Sequence, residues 1–175
     1  MSTEPLNFIR KASYLRVRRD RVVRLKYAVF DLDGDCAIEL RDDLYYLHGG
    51  YGGAFPKVEE ALDGCRVGDS VEVMLTPEEG YGPRAAELEI SVEEEAIPTE
   101  ARRVGAQLEG EAADGHTVKF TVTAIRDGRI TVDGNHPLAG RSLRFVFEVL
   151  DVRDARSEEL RAKFAFPDGT VEKPR

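Results

Sequence analysis

An α+β chain is predicted, with an antiparallel half-barrel around one short helix and a small, mainly-β unit inserted into it. Three observations predict this. Apolar residues alternate along Leu25, Tyr27 and Val29, along Val71, Val73 and Leu75, and along Leu143, Phe145, Phe147 and Val149, the period of strands with one buried face. Between them, Pro56 to Leu62 switches to helical spacing. A further alternating set, Val118, Phe120, Val122 and Ala124, crosses Asp127-Gly128 into Ile130 and Val132 and carries its own turns, so it reads as a separate hairpin unit.

The elements follow in order. Residues 1–20 form a basic extension: Met1 to Lys26 carries 8 basic and 2 acidic residues, and its arginines alternate with Leu15, Val17, Val22 and Val23 as on a solvated edge strand. Asp31-Leu32-Asp33-Gly34 then favours a reversal. Pro56 suits the first helical turn and Gly64 the exit, with Val58, Ala61 and Leu62 on the apolar stripe and Glu59, Glu60 and Asp63 directed away from it. Beyond Val67-Gly68-Asp69 and the strand over Val71 to Leu75, the inserted unit occupies 85–135. In it, Ser91-Val92-Glu93-Glu94 reads as a capping box, Gln107-Leu108-Glu109-Gly110 as a strand and Asp114-Gly115 as a tight turn. The half-barrel is therefore discontinuous, 21–84 and 136–156. Residues 157–175 form a tail with a weak helix signal at Ser157-Glu158-Glu159-Leu160, expected to be partly disordered.

Composition narrows the function. At 175 residues, 42% hydrophobic and 33% charged, the chain is a globular protein. No stretch of about 18 apolar residues and no apolar leader occurs, so a cytoplasmic protein without membrane partners is expected. Tyr27 to Ala101 carries 4 basic against 19 acidic residues, which repels phosphates, so no nucleic-acid partner is expected. Cys36 and Cys65 make neither a disulfide framework nor a zinc site, and His48, His116 and His136 lie too far apart in sequence for a ligand cluster. No cofactor, no metal and a monomeric state are expected.

Leu25-Lys26-Tyr27, Tyr46-Leu47-His48-Gly49, Glu60-Ala61-Leu62-Asp63-Gly64, Val67-Gly68-Asp69, Tyr81-Gly82 and Val132-Asp133-Gly134-Asn135-His136-Pro137-Leu138-Ala139-Gly140 resemble the SlyD branch of the FKBP-type peptidyl-prolyl cis/trans isomerases. The resemblance spans Arg21 to Glu159. It implies an FKBP-like half-barrel that isomerises X-Pro bonds and an insert-in-flap domain that holds unfolded or proline-containing polypeptides. It also implies site positions: Tyr27, Tyr81 and Phe145 as catalytic residues, and Ile38, Leu47, Ala54, Phe55, Val58, His136 and Leu138 as substrate-binding ones. Where the family has a pocket Asp, counting from Gly34 gives Ile38, with Glu39 beside it and facing the other way. Many relatives have a His- and Cys-rich metal-binding tail; Ser157 to Arg175 contains no histidine, so nickel storage is not carried over.

Prolyl isomerisation needs no proton transfer or nucleophile. The barrier of about 18–20 kcal/mol comes from amide resonance, and an apolar slot that grips the rotated amide better than the planar one lowers it. Each aromatic taken alone is ordinary core; their joint position in the family pattern points to a slot. In the insertion, Ile90, Val92, Val104, Leu108, Phe120 and Val132 exceed what so small a unit readily buries and form a candidate chaperone surface. Two alternatives stand beside this reading: a peptide-binding chaperone whose isomerase activity is weak or lost through Ile38, and an adaptor docking an acidic partner through Arg16 to Arg24.

Overall fold

The computed structural model describes residues 14–32, 34–111 and 115–167. Asp33 and Asp114 of the two predicted turns, most of the N-terminal arm, and Gly169 and Pro174 of the tail lie outside these. The chain divides into two compact units, one made of the chain up to Gly80 and from Ser142 onward, the other of Tyr81–Arg141. Tyr81, His136 and Leu138 thus sit with the inserted unit.

The first unit is a four-stranded antiparallel sheet in the order β2-β1-β8-β3, from β1 (Arg21–Asp31), β2 (Ala37–His48), β3 (Ser70–Leu75) and β8 (Leu143–Asp154). Side chains alternate, so the pairing register sorts them onto two faces. On the inner face Val29 stands opposite Phe145 and Glu39, Tyr27 opposite Phe147 and Arg41, and Val23 opposite Tyr46 and Val152. Helix α1 (Pro56–Leu62) lies on this face and buries Val58 and Leu62 completely. Its proline stands in the first turn and Gly64 leaves it at φ 81°, a conformation open to glycine at little strain.

On the outer face Val22 stands opposite Leu47 and Arg153. A second helix, α2 (Ser157–Ala162), and the residues after it cover that end: Leu160 and Ala165 pack on Val22 and Leu47. Glu159, 0% exposed, anchors this cover. It accepts two bonds from the Arg153 guanidinium at 2.7 Å and the backbone N–H groups of Arg156 and Phe166 at 2.8 Å. Burial alone would raise the carboxyl, but these donors outweigh it and hold its pKa at about 2.

Three expectations are corrected here. Val22 and Val23 belong to β1, an interior strand, and Val17 is fully buried, exchanging backbone hydrogen bonds with Gly64 and Cys65; the arginine-rich stretch is an edge only before Arg21. Glu59 does not face solvent. Its carboxylate accepts the N–H groups of Gly49 and Gly50 at 3.2 and 2.8 Å, which compensates its burial. Ser91-Val92-Glu93 is not a helix cap but strand, because Val92 is needed on the inserted sheet. The expectation for the tail falls in part on 168–175, outside the described residues; up to Phe166 the chain is held by the Glu159 anchor, which the residue pattern did not reveal.

The inserted unit is a second antiparallel sheet, order β4-β7-β6-β5, from β4 (Glu89–Glu93), β5 (Gln107–Glu111), β6 (Thr117–Arg126) and β7 (Arg129–Asp133). Asp127, at φ 52°, and Gly128 turn β6 into β7. One face is polar, with Ser91, Thr131, Thr121 and Gln107. The other brings together Val92, Leu108, Phe120, Val122, Ile130 and Val132, covered by Ile97, Ala101 and Ala106 from the connection of 3-10 turns between β4 and β5.

Candidate functional site

On the inner face of the first sheet the alternation that makes β1 and β8 also lines up aromatic rings. Phe145 is the floor, 2% exposed, and lies parallel to Phe147 with centroids 5.7 Å apart. Tyr27 leans over both at 6.3 and 5.8 Å, and Phe55, at the mouth of α1, meets Phe145 edge-on at 6.2 Å and 69°. Tyr27 and Phe55 are half-buried, so the cluster keeps an open side. Edge-on and offset arrangements are those that the ring quadrupoles favour. Ala54, also half-buried, precedes Phe55, and Val58 is buried one turn farther along.

At the rim, the Tyr27 hydroxyl donates to Glu39 Oε1 at 3.2 Å, and Arg41 stands 3.8 Å from the same carboxylate. This corrects the assignment of Ile38. Glu39 is paired with Val29 on the inner face, whereas Ile38 falls at the register shift between Val29 and Phe30 and is 40% exposed. Counting from Gly34 could not see a bulge, which adds one residue to one strand and changes which neighbour faces in. Leu47 is corrected as well. It is 1% exposed on the outer face among Val22, Ala165 and Leu160, and its inner-face neighbour is Tyr46. The Tyr46 hydroxyl meets His48 Nδ1 at 2.9 Å, while His48 Nε2 meets Asp63 at 3.2 Å. Burial, with Glu59 nearby, pushes the Tyr46 phenol well above its usual range.

Within the inserted unit Tyr81 and His136 stack face to face, centroids 4.0 Å apart and 6° between planes. The imidazole is fixed from behind: its Nδ1 accepts the Leu138 N–H at 3.1 Å. Leu138 itself is 6% exposed. The apolar residues expected to form a chaperone surface divide. Val132 is core and Val92, Leu108 and Phe120 pack against that core, while Ile90 and Val104 are exposed, 40% and 66%. The small-residue signal for this was present in Gly110 and Gly134, whose backbones lie against the Phe120 ring so closely that a Cβ on either would come within 2.9 Å of it.

No family model matches the chain. Curated proteins do. The chain is 37% identical over 149 residues to the FKBP-type peptidyl-prolyl cis-trans isomerase SlyD of Yersinia pestis, covering 83% of this chain and 75% of that one. Identity is 36% with the same coverage for SlyD of Escherichia coli K12. With SlyD of Treponema pallidum it is 31% over 151 residues, 85% of each chain. The chain belongs to the SlyD family of FKBP-type peptidyl-prolyl cis-trans isomerases. Among the described residues no helix is long and apolar enough to cross a membrane, and no group of three or more His, Cys, Asp or Glu side chains is arranged to hold a metal ion.

Proposed function

We infer that this SlyD-family chain isomerises X-Pro bonds of unfolded or proline-containing polypeptides at the aromatic cluster of its first unit, and holds such chains through its inserted unit. The single observation that carries the first part is the open-sided group of Tyr27, Phe55 and Phe145 with a carboxylate at its rim. A prolyl ring set on Phe145 loses water on one face, and charge separation in the planar amide is poorly solvated there, so the rotated form gains relative to the flat one. Tyr27 and Glu39 supply the polar edge that orients the neighbouring peptide groups. The family resemblance assigns Tyr81, by its hydroxyl, to the substrate carbonyl and His136 and Leu138 to substrate binding, all three in the inserted unit, while Ala54 and Val58 are apolar support within the first unit.

Exposed Ile90 and Val104 support the holding role, and tethering that surface to the isomerase raises the local concentration of prolyl bonds. The reading of a chaperone without isomerase activity rested on Ile38, and Glu39, hydrogen-bonded to Tyr27, supports the isomerase reading over it. A monomeric, cytoplasmic protein without nucleic-acid partners is part of the same proposal, and the acid excess in Tyr27 to Ala101 supports its last element.

A protease-coupled assay on a prolyl tetrapeptide tests the inference. Tyr27→Phe and Glu39→Gln are each expected to lower kcat/KM several-fold while altering stability by only about 0.5–1.5 kcal/mol, the net worth of one hydrogen bond. A chain with no turnover above the uncatalysed rate would sink the inference.

A further inference from the structure

Asn135 stands one residue before His136, and its carboxamide holds the backbone of Ala85 at both ends. The Ala85 N–H donates to Oδ1 at 2.8 Å, and Nδ2 donates to the Ala85 carbonyl at 2.9 Å. The other Nδ2 hydrogen goes to Asp133 Oδ1 at 2.8 Å. A carboxylate only accepts, so this third bond fixes which end of the amide is nitrogen. Asp133 is in turn held by the Asn135 N–H at 2.9 Å and by the Arg84 guanidinium. Burial would raise its carboxyl, but these donors hold it below the usual carboxylate range, so it stays a charged acceptor for the Asn135 side chain.

The segment carrying Tyr81 and the segment carrying His136 therefore run side by side through a side chain that imitates a peptide group. Two backbone bonds flank it, Gly140 N–H to the Gly82 carbonyl at 2.8 Å and Gly134 N–H to the Leu88 carbonyl at 2.9 Å. Between them no described backbone bond joins 83–87 to 135–139, so Asn135 bridges the gap. No other side chain does this in the same way: Asp lacks the donor and would face Asp133, and Gln carries an extra methylene.

We propose that Asn135 is a positioning residue for the isomerase reaction, tying 133–140 to Ala85 so that Tyr81 stays stacked on His136 with its hydroxyl in one orientation. This rests on the reading that Tyr81 serves the substrate carbonyl. The Tyr81 ring face sets the environment of the His136 ring protons, which gives a signature that a purely structural role elsewhere would not move.

The test is Asn135→Ala in the full chain, read by kcat/KM on the prolyl tetrapeptide and by the proton NMR signals of His136 at alkaline pH. With 3 histidines in the chain, single substitutions assign every imidazole signal. The expected result is a fall in kcat/KM of about tenfold to a hundredfold, the scale of a misplaced catalytic group, carried mainly by kcat. The His136 signals are expected to lose their upfield displacement while those of His48 stay in place. Turnover or the His136 signals remaining as in the wild type overturns the proposal. If Asn135→Ala does not fold, Asn135→Asp keeps the acceptor for the Ala85 N–H and loses the donor, and the same two readouts decide. Tyr81→Phe separates the two layers. Full activity in Tyr81→Phe means that the reading of Tyr81 fails and the proposal with it; an impaired Tyr81→Phe beside a fully active Asn135→Ala means that only the positioning role fails.

Discussion

The two sheets of this molecule have the same number of strands, are both antiparallel, and differ in how their apolar residues are covered. The β2-β1-β8-β3 sheet is covered on its inner face by α1 and, at one end of its outer face, by α2. The β4-β7-β6-β5 sheet has one apolar face, and short 3-10 turns are its cover. A helix presents a continuous stripe that can bury Val58 and Leu62 fully, whereas turns contribute isolated residues such as Ile97 and Ala101 and leave Ile90 and Val104 to solvent. The difference teaches that cover, not strand content, decides how completely each sheet's apolar residues are buried.

The strongest test of this division replaces 86–133 by a short glycine-rich bridge. Because Ala85 and Asn135 are both retained, turnover of the tetrapeptide is expected to survive, lowered only by the loss of Asp133 from the Asn135 contact, and catalysis of protein refolding to be largely lost; equal refolding assistance by the two forms would break the comparison. Phe145→Ala should destabilise the first unit by about 3–5 kcal/mol in a urea titration, the cost of emptying a buried aromatic site. Activity loss in that variant is therefore not diagnostic, and Phe145→Leu, which leaves a smaller cavity while removing the ring, is the sharper probe of the slot.

Glu159→Gln tests the outer cover. The folded-state pKa of Glu159 lies at about 2 against an ordinary 4.5, so its contribution is fully present above pH 4.5 and is lost as pH falls toward 2. The wild type should exceed Glu159→Gln in urea midpoint at neutral pH, and the gap should close through that acid window; a gap independent of pH would show that packing rather than charge carries the anchor. The smallest effect is expected from Ile90→Ser with Val104→Ser. Stability should change by less than about 0.5 kcal/mol per site, as for exposed positions, while capture of an unfolded protein weakens. A large loss of stability would mean that these residues belong to the core.

Much of the fold was legible because it is written in periodicity. Val71 to Leu75, Leu143 to Val149, Pro56 to Leu62 and the β6-β7 hairpin all carry their period openly. β2 was hidden, because Glu39, Arg41, Asp42 and Asp43 fill an exposed sheet edge with charge and mask the alternation. In the site, Tyr27, Phe55 and Phe145 were grouped only through the family resemblance, and Tyr27 and Phe145 share a face because β1 and β8 pair without a shift between Leu25 and Asp31. Ile38 and Leu47 were misplaced for one reason: facing depends on register, and a bulge or the neighbour one position away changes it without altering composition. Glu59 looked like a surface acid because its partners are backbone N–H groups brought in by the chain's path, which leave no mark in residue type, and the anchoring role of Glu159 was hidden because Arg153 and two backbone N–H groups meet it only in the fold.

The inserted unit leaves the first sheet after β3 and returns at β8, and these two strands are direct partners, with Leu75 opposite Leu143. Pairing them before the intervening chain is structured closes a long loop, at an entropy that grows with its logarithm. If the guest sheet assembles first, the Gly82 to Gly140 bond already draws its two ends together and the host has only a short span left to close. Splicing at neighbouring strands thus lets closure of the guest's own ends shorten the loop that the host has to close.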